Sequence, residues 1–108
     1  MKRMNKNLQI VGFKIGKELF GVEISSVKEI VRVPEIVKVP DTPDFVEGVI
    51  NLRGKIVSVV DLKKRFRLGH VDRSKTSRVL VVEMNGKIIG LLVDAASEVL
   101  RLPADSIE

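Results

Sequence analysis

A chain of 108 residues with 44% hydrophobic and 31% charged residues has the composition of one folded domain with a modest core, which excludes a disordered or fibrous protein. It contains no cysteine, so disulfide scaffolds, cysteine-ligated zinc sites and cysteine nucleophiles are excluded, and a reducing compartment fits. The net charge of +5 raises the question of nucleic-acid binding, and no apolar run reaches the ~18 residues of a membrane span, so we expect a cytoplasmic protein.

Residues 8–24 (LQIVGFKIGKELFGVEI) have the pattern of a β-hairpin. Apolar residues alternate with other residues on both sides of Gly16 and Lys17. A period of two on either side of a glycine-containing turn is typical of two paired antiparallel strands. This hairpin is the first predicted element.

The segment after the hairpin predicts little helix. Ser26 followed by Glu29 has the spacing of a capping box, so we expect one short helical turn to start at Ser26. Pro34, Pro40 and Pro43 each remove a backbone donor and favour an extended conformation in the preceding residue. Edge strand and loop are therefore expected over this segment.

Residues 46–62 (VEGVINLRGKIVSVVDL) predict a second hairpin, because two β-rich runs flank a polar turn. Gly54 accepts the left-handed dihedral angles that a tight turn needs. A turn can explain the whole polar interruption of Asn51, Arg53, Gly54 and Lys55, and if the stretch is more than a turn, Arg53 is the residue to explain.

Asp61 is placed to cap a short helix, LKKRFRL, with Gly69 as its stop. The solvent side of this helix is expected to carry the densest basic cluster of the chain: Lys63, Lys64, Arg65 and Arg67. The polar run that follows, HVDRSKTS, predicts an exposed loop.

Asn85 and Gly86 separate RVLVVEM from KIIGLLVD and give the strongest short-range hairpin signal in the sequence. A last strand is expected over residues 99–102, and the entry to a turn or helix over residues 103–105. Three hairpins with short helices at the corners predict an all-β fold, a barrel or sandwich of small strands. Residues 1–108 are expected to form a single domain.

The sequence contains no recognisable catalytic constellation. His70 is the only histidine and follows Gly69 in a predicted loop, which indicates a surface residue. Asp61 and Asp94 each follow an apolar strand, where an aspartate more often caps the next turn than transfers protons. The glycines are dispersed and form no phosphate-binding loop. We therefore expect no enzymatic activity, no cofactor and no metal site.

A protein surface is the alternative to a catalytic site. Val27, Glu29, Gly48, Asn51 and Arg53 offer the mixture of apolar and charged side chains that partner proteins bind. Arginine suits such a surface because its planar guanidinium binds a carboxylate through two hydrogen bonds. The residues alone also allow a purely structural explanation, with Val27 in the core, Gly48 required by the backbone and Arg53 in solvent.

A basic nucleic-acid-binding domain is the function of a different class that the charge allows. It would depend on Lys63, Lys64 and Arg65, and its affinity would fall steeply with salt. The chain has no Trp or Tyr and only four Phe, so few side chains are available to stack on unpaired bases. A solvated charged face is the simpler explanation of these residues, and we expect no nucleic-acid partner.

Several motifs together resemble one family. The run FVEGVINLRGKIVSVVDL, preceded by LFGVEISSVKEI and VKVPDTP and followed by GKIIGLLVDAASEVLRLP, is similar to CheW-like domains, found in chemotaxis adaptor proteins and in the regulatory domain of the histidine kinase CheA. The similarity covers residues 8–103 and leaves residues 1–7 as an expected flexible terminus. It implies two small SH3-like β-barrels packed together.

The resemblance also implies a function and partners. CheW-like adaptors connect CheA to the cytoplasmic tips of methyl-accepting chemoreceptors. We therefore expect both as partners, and we expect no direct insertion of this chain into the membrane. Val27, Glu29, Gly48 and Arg53 match positions implicated in receptor binding, and we add Asn51 from the same turn. Kinase contacts are expected where apolar residues of one barrel end meet those of another barrel. A CheW-like module of a CheV-type or CheA protein is the alternative within the family.

One departure from the family pattern concerns the C-terminus. CheW-like chains usually continue beyond the position of Glu108 with strands that complete the barrel containing the first strand. The sequence is therefore expected to be a C-terminally incomplete CheW-like chain that lacks those strands. Because an open barrel leaves strand edges and apolar surface exposed, self-association or strand exchange between copies is also expected.

Overall fold

The computed structural model describes the backbone of residues 7–103 and the side chains of residues 9–96. Within this part the chain is mainly β-strand, with one 3-10 turn and one short α-helix, as predicted. The elements in chain order are β1 (Asn7–Ile15), β2 (Glu18–Glu23), the 3-10 turn (Ile24–Ser26), β3 (Val27–Arg32), β4 (Val46–Leu52), β5 (Lys55–Asp61), α1 (Leu62–Arg65), β6 (Arg78–Met84), β7 (Lys87–Val93) and β8 (Ala95–Pro103).

The strands form two sheets. A three-stranded antiparallel sheet has the order β2-β1-β8, and a five-stranded sheet has the order β3-β6-β7-β5-β4. The three predicted hairpins are confirmed as β1–β2, β4–β5 and β6–β7. The β5–β7 pair is parallel, so the chain must cross from one to the other through α1, the following loop and β6.

Two hairpin turns in the larger sheet have the same backbone geometry. Arg53 and Gly54 have φ of 52° and 83°, and Asn85 and Gly86 have φ of 52° and 78°. Two successive left-handed residues give a turn whose twist matches that of the flanking strands. Each turn therefore fixes the register of its hairpin.

Strand β6 is buried on both faces and divides the interior into two cores. Its alternate residues Leu80 and Val82 pack in the first core, and Val79 and Val81 pack in the second. A strand covered on both faces reads as a continuous apolar run, as RVLVV does. The first core comprises Val11, Phe13, Ile15, Leu62, Leu80, Val82 and Val93. The second core comprises Ile50, Val57, Val59, Val71, Val79, Val81 and Leu92.

The helical turn predicted to start at Ser26 is wrong in position. The 3-10 turn ends at Ser26, and β3 begins at Val27. The residues that follow favour a strand because Val27, Ile30 and Val31 are β-branched. The Glu29 side chain is also unavailable for a capping box, because it binds Arg53 in the next hairpin.

The helix predicted from Asp61 to Gly69 is correct at its start and wrong in length. The Asp61 carboxylate accepts a hydrogen bond from the Lys64 backbone amide, as an N-cap residue does. Helix α1 ends at Arg65, four residues before Gly69. Arg67 already has a left-handed φ of 61°, which stops the helix there.

The loop predicted over residues 70–77 is confirmed as a loop, but it is not exposed throughout. Val71 packs in the second core, and the Ser77 side chain is buried and hydrogen-bonded. The strand predicted over residues 99–102 forms part of the longer β8. Residues 1–6 of the predicted flexible terminus and residues 104–105 of the last predicted turn lie outside the described residues. The two predictions are wrong at their described ends, because Asn7 begins β1 and Pro103 ends β8.

None of the helices within residues 7–103 has both the length and the apolar character needed to cross a bilayer.

Candidate functional site

An ion pair joins β3 to the β4–β5 turn. Both oxygens of the Glu29 carboxylate accept hydrogen bonds from the two terminal nitrogens of Arg53, at 2.5 and 2.6 Å. This parallel arrangement is the geometry in which a guanidinium holds a carboxylate most specifically. The Arg53 side chain remains 73% exposed, whereas Glu29 is 24% exposed. The pair therefore presents one face of a positioned guanidinium to solvent.

Each member of the pair stabilises the charged form of the other. The hydrogen bonds from Arg53 lower the pKa of the Glu29 carboxyl below its usual value of 4.5. The hydrogen bonds to Glu29 raise the pKa of Arg53 above its usual value. Both residues are therefore charged at neutral pH, and the pair persists under those conditions.

Asn51 supports the turn that carries Arg53. Its side-chain oxygen accepts a hydrogen bond of 2.9 Å from the backbone amide of Gly54. An asparagine side chain that binds the backbone within a turn restricts the turn's conformations. The structure thus brings together three of the residues expected in the site, with Asn51 holding the turn and Glu29 holding the Arg53 side chain.

An apolar groove of about 330 Å³ lies beside the ion pair. Ile56 is 67% exposed and Ile88 is 39% exposed, although both are large hydrophobic residues. Exposed apolar side chains that gather around a concavity are typical of a protein-binding surface. We call this surface the barrel-end groove; its lining includes Lys28, Glu29, Leu52, Arg53, Lys55, Ile56, Val57, Val81 and Ile88.

The other two expected site residues lie elsewhere. Val27 is half-buried against the first core and is not part of the groove lining. Gly48 is buried at an irregularity in the β4–β5 register, with a φ of 145°. A Cβ at Gly48 would lie 2.2 Å from the carbonyl oxygen of Val37 in the same chain. This close approach by Val37 explains the glycine within the structure.

Two features of the site were not predicted from the sequence. Glu29 and Arg53 were expected as separate site residues, whereas the structure pairs them across 24 positions of the chain. The groove was not expected, although β5 contains a signal for it. Val57 and Val59 point into the second core, so Ile56 occupies an outward position where a polar residue is expected.

The basic cluster of the α1 region is partly neutralised. Lys64 forms an ion pair of 3.0 Å with Glu47, and the Arg65 guanidinium lies 5.2 Å from the centre of the Phe45 ring. The hydrogen bond to Glu47 raises the pKa of Lys64. Lys63 and Lys64 are only partly exposed and form internal contacts, whereas Arg65 and Arg67 are exposed, so only part of the cluster lies in solvent as expected.

The residues considered for catalysis have structural contacts. Asp61 accepts hydrogen bonds from the backbone amides of Lys64 and Val71, and Asp94 accepts one from Gly16. His70 is exposed and lies 3.0 Å from Asp72. Among the residues that the structure describes, no group of three or more His, Cys, Asp or Glu side chains is placed to hold a metal ion.

Comparisons with known proteins agree on one family. A family model described as a CheW-like domain matches residues 9–108. The chain is 37% identical to "Chemotaxis protein CheW" of Klebsiella aerogenes over 88% of its length, and 37% identical to that of Helicobacter pylori over 94%. These alignments cover 57% and 61% of the two relatives, so the chain spans about three fifths of their length.

A solved structure agrees with the described fold. The scaffolding protein TtCheW from Thermoanaerobacter tengcongensis is 50% identical in sequence and superposes with a TM-score of 0.88. The superposition covers 97% of this chain and 70% of TtCheW. At this identity and TM-score, the expected SH3-like β architecture is confirmed.

Proposed function

Because this chain belongs to the family of CheW-like domains, we propose that it is a non-catalytic cytoplasmic scaffold that couples chemoreceptors to the histidine kinase CheA. The observation that carries the proposal beyond family membership is the bidentate Glu29–Arg53 pair at the edge of the barrel-end groove. It combines a fixed charge with exposed apolar surface, which is the chemistry of a protein-binding site.

The receptor surface is centred on Arg53. The guanidinium is held in place by Glu29, and the Asn51 side chain holds the turn beneath it. A side chain that is already ordered loses less conformational entropy when a partner binds. Val27 and Gly48 contribute to receptor binding indirectly. Val27 packs β3 against the first core, and Gly48 lets Val37 lie close to β4.

The kinase surface is the apolar part of the barrel-end groove. Ile56 and Ile88 are exposed, and Leu52 also lines the groove. Burying large apolar side chains against those of another barrel supplies the main driving force for such an association. Catalysis has no part in this function, since the chain acts by holding two partners.

Binding assays with two variants separate the two surfaces. Arg53→Glu places a second carboxylate beside Glu29 and is expected to weaken binding to a receptor cytoplasmic fragment at least about tenfold. Ile56→Lys is expected to weaken binding to the CheA regulatory domain by a similar factor, because an apolar contact is replaced by a charge. Loss of both partners with either variant would contradict the assignment of two surfaces.

Leu19→Lys is the matched control for Ile56→Lys. Leu19 is 60% exposed and lies on β2, in the other sheet. Both substitutions replace an exposed apolar residue, so general effects of charge or solubility are shared. Binding that falls equally in the two variants would overturn the kinase assignment.

Light scattering during size-exclusion chromatography tests the adaptor function itself. A stoichiometric complex of the chain with the CheA regulatory domain is the expected result. The same measurement on the chain alone tests the self-association expected from its sequence. If neither this chain nor a longer CheW control binds the kinase domain, the adaptor proposal is wrong.

A further inference from the structure

A second concave surface lies at the other end of the β3–β6 ladder. This cleft of about 480 Å³ shares no lining residue with the barrel-end groove. Four cationic side chains line it, and none of the described residues that line it is acidic. The four cations are Arg32, Arg73, Lys75 and Arg78, and the lining also includes Val33 and Pro34.

Two of the cations face each other across paired strands. Arg32 ends β3, Arg78 begins β6, and the two are direct partners in the antiparallel register. Like charges directly opposite each other in a sheet destabilise it. The other two charged residues that line the cleft, Arg73 and Lys75, are also cationic. The fold therefore contains a local repulsion that an anionic partner would relieve.

Two of the cations have no internal anion. Within the part of the chain that the structure describes, the side chains of Arg32 and Lys75 form no ion pair or hydrogen bond. Arg73 is paired with Glu47 at 3.2 Å, so it contributes less. One terminal nitrogen of Arg78 donates to the carbonyl oxygens of Lys75 and Ser77, at 2.8 Å each, which fixes its guanidinium against the loop.

The loop side of the cleft is held in one shape. The buried Ser77 hydroxyl accepts a hydrogen bond from the Ser74 amide and donates one to the Asp72 carbonyl oxygen. Arg78 binds the same loop through two carbonyl groups. A binding surface that is already ordered pays little entropy on association.

We propose that this cleft binds an acidic segment of a partner protein, with carboxylates paired to Arg32, Lys75 and Arg78. Arginine guanidinium groups bind carboxylates with matched geometry, and the half-buried Val33 and Pro34 provide apolar contact for the aliphatic parts of the segment. None of the described residues that line the cleft is aromatic, so unpaired bases would find no side chain there on which to stack. This distinguishes an acidic protein segment from a single-stranded nucleic acid.

Fluorescence anisotropy with a labelled hexaglutamate peptide tests the proposal. The 108-residue chain is expected to bind the peptide saturably, with an affinity that falls as salt rises and with no binding of hexaglutamine. The double variant Arg32→Glu, Lys75→Glu is expected to bind hexaglutamate at least about tenfold more weakly. Equal binding by the double variant would overturn the proposal.

The matched control reverses two charges elsewhere. Lys17→Glu with Lys87→Glu changes the net charge by the same amount. Both lysines are exposed and absent from the cleft lining: Lys17 lies in the β1–β2 turn, and Lys87 begins β7. Its affinity is expected to stay within about twofold of the unmodified chain. A loss equal to that of the cleft variant would show that net charge alone attracts the peptide, and the proposal would fail.

Stability provides a second readout that a folding defect cannot imitate. Arg32→Glu replaces a like-charge pair with an opposite-charge pair opposite Arg78, so the melting temperature is expected to rise by about 1–5 °C while peptide binding falls. A variant that loses binding because it unfolds would melt at a lower temperature. In that case the single variant Lys75→Glu, in the exposed loop, is tested instead: weaker hexaglutamate binding supports the proposal, and unchanged binding overturns it.

Competition separates the sources of negative charge. Inorganic tripolyphosphate and single-stranded oligothymidylate are titrated against the bound hexaglutamate. Weak competition by both is the expected result. If tripolyphosphate binds through Arg32 and Lys75 and hexaglutamate does not, the cleft is a small-anion site and the proposed protein partner is wrong. If oligothymidylate binds more tightly than the peptide through the same residues, the partner is a nucleic acid instead.

Discussion

Arg53 combines a left-handed turn conformation with a bidentate carboxylate partner. The turn sets the direction in which the side chain leaves β4–β5, and Glu29 fixes its far end. An exposed ion pair contributes little to stability, because water screens the charges and two side chains must be ordered. The pair therefore mainly orders the Arg53 side chain, and in the proposed function this order serves partner binding.

The contribution of the Glu29–Arg53 pair to stability depends on pH. The folded-state pKa of Glu29 lies below its usual value of 4.5, so the pair stabilises the fold above that pH and loses its effect as the pH falls through the folded pKa. Glu29→Gln is expected to lower the melting temperature at pH 7 by no more than about 5 °C.

Thermal melts of the unmodified chain and Glu29→Gln between pH 7 and pH 3 make the comparison. The difference in melting temperature between the two proteins should close below pH 4.5, because protonation of Glu29 removes the charge that Gln lacks. The other carboxyl groups are common to both proteins, so their titration affects both equally. A gap that persists unchanged at pH 3 would show that the charge of Glu29 is not responsible.

Gly48→Ala adds a single carbon atom, the Cβ, at a closely packed position of the backbone. The added Cβ would lie 2.2 Å from the Val37 carbonyl oxygen, in a backbone conformation with a φ of 145°. Strain and overlap together are expected to destabilise the fold by at least about 2 kcal/mol. Gly54→Ala is the control, since its Cβ would meet nothing within 4 Å at a φ of 83°. Urea unfolding should show a distinctly smaller loss for Gly54→Ala; equal losses would contradict the contact with Val37.

Asp61 connects three elements through one carboxylate. It ends β5, caps α1 through the Lys64 amide at 3.1 Å, and binds the Val71 amide of the following loop at 2.9 Å. Its side chain is buried, so both oxygens are removed from water and satisfied by the backbone. The chain can therefore leave β5, form one helical turn and return Val71 to the second core.

Asp61→Ala tests this connection at the scale of elements. The loss of the cap and the unpaired amide of Val71 are expected to cost about 1–3 kcal/mol of unfolding free energy. Asp72→Ala is the control, because the Asp72 side chain is 86% exposed. Chemical denaturation measures both variants, and a loss of less than about 0.5 kcal/mol for Asp61→Ala would contradict the described role.

The two sheets are joined into one molecule partly through Asp94. Its carboxylate accepts a hydrogen bond of 2.6 Å from Gly16 in the β1–β2 turn, and its amide donates to the Lys14 carbonyl oxygen. Asp94 itself lies between β7 and β8, so these contacts connect the end of the larger sheet to the smaller one. The shared first core completes the connection.

Hydrogen exchange on Asp94→Ala tests this connection at the scale of the molecule. Removing the carboxylate is expected to cost about 1 kcal/mol and to reduce the protection of β1 and β2 amides more than that of β6 and β7 amides. Glu23→Ala is the control, since the Glu23 side chain forms no capping hydrogen bond. A uniform loss of protection across both sheets would show that Asp94 stabilises the fold without linking the sheets.

The hairpins and their turns could be predicted from the sequence alone. Alternation over β1–β2 and the dipeptide Asn85–Gly86 act between near neighbours, where a turn dictates the pairing. The N-cap role of Asp61 was also readable, because a cap acts within three residues. The helix start expected at Ser26 was wrong for a related reason. Local capping spacing could not show that Glu29 binds a side chain 24 residues away.

The surfaces of the molecule could not be predicted from the sequence, because they depend on contacts between distant residues. The parallel β5–β7 pair, the second contact of Asp61 and the position of Val37 against Gly48 join residues that are distant in sequence. The barrel-end groove and the cationic cleft likewise arise where separate strands and loops converge. Sequence periodicity records which face of a strand is buried, whereas the partners of that face depend on how the sheets close.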